Sequence, residues 1–313
     1  MSGAALQPKW VAVDWGTSNL RVWAMGGEGN VLAARQSDAG MASLPRDGFE
    51  DALLVLISDW LESDAVLPVV ACGMVGSRQG WVEARYRTVP CSIAPMGALT
   101  AAPSKSAQIQ VHVVPGIKQM DPADVMRGEE TQIAGLLAEN PNFDGVACLP
   151  GTHSKWVQIS AGEVVSFCTY MTGELFALLS QHSVLRHSVA AKGWNETAFD
   201  AGLAEALARP EALARRLFAL RAEALIADLS PEAARARLSG LLIGVELAAA
   251  KPYWLGQNLA IIGAPEMSRM YQRALASVGA QASVTDAEHL TLAGLGAAYK
   301  SLMAEQDKTK CAS

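Results

Sequence analysis

The stretch Val11-Ala12-Val13-Asp14-Trp15-Gly16-Thr17-Ser18-Asn19-Leu20-Arg21-Val22 decides the fold. An apolar strand reaches a Gly-Thr break and resumes as a second strand, which runs toward the glycine-rich hairpin at Gly26-Gly27-Glu28-Gly29-Asn30. The pattern returns as Ala147-Cys148-Leu149-Pro150-Gly151-Thr152-His153-Ser154-Lys155-Trp156-Val157. With Gly16 aligned on Gly151, Thr17, Val22, Gly27 and Glu28 fall on Thr152, Val157, Gly162 and Glu163. A Gly-Thr turn between strands offers backbone N–H groups and a hydroxyl without a bulky side chain in the way, so it can wrap a phosphate. Two such turns predict two lobes that grip one polyphosphate from opposite sides.

Outward from the repeat, composition sets limits. A chain of 313 residues is long enough for two cores, and 50% apolar with 18% charged residues is an ordinary globular balance. A net charge of −6 argues against nucleic acid or an anionic membrane as partner. Cys72, Cys91, Cys148, Cys168 and Cys311 form no CxxC pair and no metal-type spacing, and most sit in apolar runs, which predicts reduced core thiols. Met1 to Lys9 lacks a leader pattern and no run approaches a membrane span, so the expected location is the cytoplasm. A homo-oligomer is compatible with all of this.

Periodicity predicts strands at 10–15, 19–25 and 31–37, a helix over 49–61 and a buried strand at 66–74. The stretch 90–125, broken by Pro90, Pro95, Pro103, Pro115 and Pro122, reads as loops with short strands. A helix opens at Arg127-Gly128-Glu129-Glu130 and continues through Leu137. The second half predicts strands at 144–149, 154–160 and 164–170, then a helix over 173–185. Several helices follow within 197–250, restarting at Pro210 and Pro231. A strand at 259–263 leads to a helix carrying Met270, Tyr271 and Leu275; a last strand at 282–285 precedes a helix from Asp286 or Glu288 to about Leu302.

Asp14, at the end of a strand and beside Gly16-Thr17, can hold Mg²⁺ through water next to the phosphates; capping the turn is the plainer alternative. No GxxxxGK[ST] occurs, and Gly294-Leu295-Gly296 lies in a helical pattern, where glycines serve close packing. His112, His182, His187 and His289 are scattered and suggest no site.

The layout resembles the superfamily of actin, hexokinase and the heat-shock chaperone ATPases. The implied fold is α/β, with two duplicated ribonuclease H-like domains and a nucleotide cleft between them. The implied lobes are 1–143, joined by the helix 288–313, and 144–287. Gly263-Ala264-Pro265-Glu266 resembles that superfamily's adenosine motif. Four stretches are similar, more narrowly, to the 2-dehydro-3-deoxygalactonokinase family: Val13 to Arg21, Cys72 to Ala84, Asp124 to Gln132 and Leu149 to Val157. Ala84-Arg85-Tyr86 departs from that pattern, which has a proline after the alanine.

The resemblance implies ATP and Mg²⁺ as cofactors and a small sugar acid, 2-dehydro-3-deoxy-D-galactonate, phosphorylated at its terminal hydroxyl. Nucleotide contacts are then expected from Asp14, Gly16, Thr17, Ser18, Gly151, Thr152, His153, Lys155, Gly263, Ala264 and Pro265. The superfamily places its catalytic base in the acidic segment before the second turn, here Glu129 or Glu130, although acids in a first helical turn also serve the dipole. Arg78, on a loop bracketed by Gly73, Gly76 and Gly80, is the favoured carboxylate receptor, with Ser77 beside it, Trp81 available to cover the sugar chain, and Arg127 and Arg21 as weaker choices. Lys155 starts a strand and could instead reach for solvent. Two rival readings share the fold: a polyphosphate or nucleotide phosphohydrolase, and a nucleotide-driven conformational ATPase.

Overall fold

The deciding stretch folds as two antiparallel strands, β1 (Trp10–Trp15) and β2 (Leu20–Met25), paired so that Asp14 lies opposite Arg21. In this computed structural model residues 7–62, 65–93 and 99–311 are described. Residues 1–6, Pro95 and the Cys311 side chain, all named above, lie outside that set. The chain divides into two compact units. One comprises Met1–Phe143, Ser160–Ser166 and Ala287–Ser313; the other comprises Asp144–Ile159 and Phe167–Asp286.

In the first unit β3 (Val31–Ser37) pairs antiparallel with β2, and α1 (Phe49–Ile57) follows, ending in a tight turn at Ser58–Trp60. Next, β4 (Leu67–Gly73) pairs parallel with β1, and β5 (Ile109–Val113) pairs parallel with β4. The order is β3-β2-β1-β4-β5, with Thr100–Ala101 at the far edge. β1 is nearly continuous in apolar residues because, as a central strand, it is covered on both faces. Trp15, Phe49 and Trp81 meet in the core under it, with ring centroids 5.1 to 6.4 Å apart. The proline-broken segment supplies β5 and the hairpin Ile117–Met120 with Ala123–Met126.

The helix expected from Arg127 begins two residues later, as α2 (Glu129–Glu139). It packs on the final helix, Ala287–Cys311, which runs beyond the expected end at Leu302. Both helices need glycine at the crossing: a Cβ on Gly135 would stand 2.0 Å from the Leu290 carbonyl oxygen, and one on Gly294 1.9 Å from that of Thr131. Gly296, in contrast, faces open space, so close packing accounts for only one of the two glycines in Gly294-Leu295-Gly296. Trp10 of β1 stacks on Tyr299 at 4.6 Å.

The second unit repeats the plan with β6 (Gly145–Leu149), β7 (Ser154–Ser160) and β8 (Glu163–Tyr170). Four long helices follow, α3 (Thr172–His182), α4 (Glu196–Ala208), α5 (Leu213–Ile226) and α6 (Pro231–Ala249), and then a single helical turn at Lys251–Trp254. Ser230 caps α6 ahead of Pro231, and Pro210 opens a tight turn before α5. α3 stops at His182, short of the expected 185, and a separate tight turn covers Val184–His187. Then come β9 (Leu259–Gly263), α7 (Pro265–Ser277) and β10 (Ala282–Asp286). The order β10-β9-β6-β7-β8, with β6 antiparallel to β7 and parallel to β9, matches the first unit strand for strand. Each unit is thus the ribonuclease H-like α/β layer that, duplicated, defines the actin-like ATPase fold. Among the described residues no helix is long and apolar enough to cross a membrane.

Candidate active site

In the first unit the sharp exit from β1 makes the first Gly-Thr turn. Gly16 N–H donates to Asn19 O at 2.9 Å and so closes the turn itself, leaving Thr17 and Ser18 exposed at its tip. The next segment braces it from behind, with Met41 and Ala42 N–H donating to the Gly16 and Thr17 carbonyls. Asp14 lies one residue before the turn, half-buried, with its Oδ2 bound by Arg21. Arg21 also reaches Glu288 at 3.3 Å, so it serves as an ion-pair residue here. Among the described residues no three His, Cys, Asp or Glu side chains are grouped to hold a metal. Asp14, its Oδ2 held by Arg21, is an oxygen donor of the kind Mg²⁺ takes when water and phosphate oxygens supply its other ligands.

At the start of α2 the two acids separate in environment. Glu129 is half-buried, and its Oε2 accepts from Arg127 N at 3.1 Å. Glu130 is 2% exposed; its Oε2 accepts from Gly128 N at 2.7 Å and its Oε1 from Thr131 Oγ1 at 3.2 Å. Burial, and then the charge of Glu129, push the Glu130 carboxyl from 4.5 up to about 8.

The loop after β4 carries the remaining candidates. Arg78 is exposed and makes no hydrogen bond or ion pair among the described residues. Ser77 is buried, with its hydroxyl unpartnered among the described residues. Trp81 is 6% exposed, donates to Pro103 O at 2.8 Å and fills the core against Trp15 and Phe49, so it cannot cover a substrate chain. Arg127 donates from Nη2 to the Ala84 carbonyl at 2.6 Å and lies over the Tyr86 ring at 4.4 Å, while its Nε and Nη1 are buried with no hydrogen-bond partner among the described residues.

In the second unit Gly151 and the exposed Thr152 and His153 form the second turn. His153 pairs with Glu174 at 2.6 Å. Lys155 is 4% exposed and does not reach for solvent. The first turn of α3 lies against this loop: a Cβ on Gly173 would come within 2.4 Å of Gly151 O, and Glu174 N–H donates to Thr152 O at 2.9 Å. Gly263 ends β9, while Ala264, Pro265 and Glu266 are exposed at the start of α7. A cavity of about 350 Å³ opens beside them, reached by Thr152, Phe176, Trp194, Arg235, Glu266 and Met270. Its lining is mainly apolar, and the Arg235 guanidinium lies 5.0 Å from the centroid of Phe176. Sequence reasoning missed Phe176, Trp194 and Arg235, which come from three separate segments with no shared pattern. It also missed Glu246, although that is the single charged residue in the apolar run 238–250, a signal that could have drawn notice.

Comparison with known proteins agrees with this architecture. The family model for 2-keto-3-deoxy-galactonokinase matches residues 14–298. A Rhizobium meliloti (strain 1021) protein, named as a probable 2-dehydro-3-deoxygalactonokinase, is 38% identical over 303 residues, covering 94% of this chain and 97% of its own. The 2-dehydro-3-deoxygalactonokinase of Escherichia coli (strain K12) is 34% identical over 290 residues, covering 92% and 96%. A Sinorhizobium meliloti crystal structure, provisionally assigned the same activity, superposes with a TM-score of 0.85 at 38% identity, covering 94% of this chain and 99% of that one. On a model match that spans most of its length and on relatives above 30% identity end to end, this chain belongs to the 2-keto-3-deoxy-galactonokinase family.

Proposed function

We propose that this sugar kinase transfers the γ-phosphoryl group of ATP to the terminal hydroxyl of 2-dehydro-3-deoxy-D-galactonate, giving the 6-phosphate. The observation that carries the reading is the pairing of a Gly-Thr turn beside Asp14 with a split acidic pair, Glu129 and Glu130, in the same unit. Neither the phosphohydrolase nor the conformational ATPase is favoured by the family relationship.

Glu129 is the base in this scheme. It can be reached from solvent, whereas Glu130 is enclosed and holds its proton to about pH 8. Environments that push two neighbouring acids apart commonly mark separate roles. Phosphate contacts are assigned to Thr17 and Ser18 on the first turn and to Gly151, Thr152 and His153 on the second. The adenosine lies in the cavity beside Gly263, Ala264 and Pro265, its base against the Phe176–Arg235 pair. Asp14 would hold Mg²⁺, and the chemistry the ion would supply when bound is neutralisation of phosphate charge. The reaction is mainly one of positioning: the enzyme aligns the hydroxyl with the phosphorus and keeps water from competing for it.

Arg78 takes the substrate carboxylate. Of the three arginines considered, Arg21 is ion-paired with Asp14. Arg127 is held by one nitrogen on the Ala84 carbonyl and by the Tyr86 ring, its Nε and Nη1 being buried without a hydrogen-bond partner among the described residues. Arg78 is the exposed one, with no partner among the described residues. The reaction takes place in solution, and the proposed setting is the cytoplasm without a nucleic-acid or membrane partner. A coupled assay of ADP release with and without a panel of sugar acids tests the whole reading. Release should require the acceptor; equal release without any sugar acid would assign the chain to hydrolysis.

A further inference from the structure

A buried carboxylate stands beneath the second turn and has no part in the chemistry above. Glu246, on α6, is 2% exposed. Its Oε1 accepts from Trp156 Nε1 at 2.8 Å. Its Oε2 accepts from the Tyr271 hydroxyl at 2.7 Å and from Thr172 Oγ1. One side chain thus collects donors from β7, α7 and the first residue of α3. A carboxyl in such a place is tolerated only when its oxygens are well supplied with hydrogen bonds, and these are.

An acceptor fixes the direction of every hydroxyl that points at it. With Glu246 as the acceptor, Tyr271 gives it its single proton and accepts in its 2.8 Å contact with Ser154, whose hydroxyl also lies within hydrogen-bonding reach of the Glu246 carboxyl itself. The lone pairs of Ser154 are then left facing Gly151 N, 3.5 Å away. On the other side Thr172 immediately precedes Gly173, whose backbone lies against Gly151 O. The back of the turn, through Ser154, and its flank, through Thr172, trace to the same carboxyl group.

We propose that Glu246 is a positioning residue for phosphoryl transfer, which sets the shape of the second phosphate turn through the Tyr271–Ser154 hydroxyl chain and through Thr172. The proposal rests on reading that turn as a nucleotide contact. Glu246→Gln keeps the volume and reverses the polarity. Trp156 can only donate, so the amide oxygen must face it and the NH₂ must face Tyr271 and Thr172. Tyr271 then has to accept from the amide, and its proton turns on Ser154.

The test is ATP affinity by calorimetry for the wild type, Glu246→Gln, Ser154→Ala and the double variant, with melting curves alongside. Each single change should raise the Kd by about tenfold. The double should be no weaker than the worse single, because residues acting through one chain are not additive. Two Kd increases that multiply, or an unchanged Kd in folded Glu246→Gln, would overturn the proposal. If Glu246→Gln fails to fold, the cycle of Tyr271→Phe with Ser154→Ala asks the same question, since both changes remove only a hydroxyl; multiplying effects there are equally fatal. The wild-type assay with sugar acid separates the two readings. A protein that binds ATP with a coupled cycle but phosphorylates no sugar acid loses the substrate assignment and keeps the positioning role. One that binds no ATP loses both.

Discussion

At the residue scale the sharpest distinction lies between two adjacent carboxyls. Glu129 and Glu130 differ by one position in sequence and by a full wall of protein in access. Replacing each by glutamine keeps the shape and removes the titratable carboxyl. Glu129→Gln should lower kcat by roughly a hundredfold with ATP affinity nearly intact, while Glu130→Gln should cost far less. Steady-state rates at saturating ATP decide this, and the opposite ranking would move the base to Glu130. Asp14→Asn should fold normally and lose most turnover, because a neutral amide holds the hydrated cation poorly; wild-type rates at saturating Mg²⁺ would remove Asp14 from the metal site. Arg78→Lys keeps a positive charge and loses the two-pronged grip, so the KM for the sugar acid should rise about tenfold and that for ATP should barely move. A crystal structure with bound sugar acid and Arg78 turned away from its carboxylate would exclude that role.

At the scale of elements the site depends on how closely backbone segments approach. α3 can lie on the second turn only because residue 173 has no side chain, its missing Cβ being 2.4 Å from Gly151 O. Gly173→Ala must push the helix or the turn aside. ATP affinity should fall by tenfold or more while the melting temperature drops by only a few degrees, since the strain sits at one end of one helix. Calorimetric titration beside a thermal melt checks it; an unchanged Kd would show that the turn absorbs the methyl group freely. These elements were also where the sequence was most legible. Strand–turn–strand periodicity about Gly16 and Gly151 predicted both turns, because a buried strand ending at glycine leaves a strong local signal. Trp81 was misread for the opposite reason: its neighbours in the loop are polar and glycine-rich, while its ring is claimed by Trp15 and Phe49 from distant elements. The cavity walls at Phe176, Trp194 and Arg235 were invisible, since only tertiary folding brings α3, the segment before α4 and α6 together.

At the scale of the whole molecule the buried acid imposes a pH dependence on stability. Glu130 titrates near 4.5 when unconstrained and near 8 when folded. Between those values the unfolded chain carries fewer protons at this site than the native one, so stability falls as pH rises through the window. The contribution is fully present below about pH 4.5 and lost by about pH 8, each pKa unit being worth about 1.4 kcal/mol. Glu130→Gln has no such titration. Its melting temperature should therefore gain on that of the wild type as pH is raised from 5 to 8.5, and a constant gap would show that the group does not titrate there.

The crossing of α2 with the final helix has a consequence for how the protein is made. Gly135 and Gly294 interlock two helices whose contact residues are separated by the entire second unit in the chain. A ribosome that has just finished residue 143 has produced every strand of the first sheet, and the helix that stacks on Trp10 and seats against α2 is still unwritten. The first unit begun is thus the last completed. Until residues 287–311 emerge, its nascent form exposes the apolar flank of α2 and waits, while the second unit, continuous but for one hairpin tip, has all its own parts in hand.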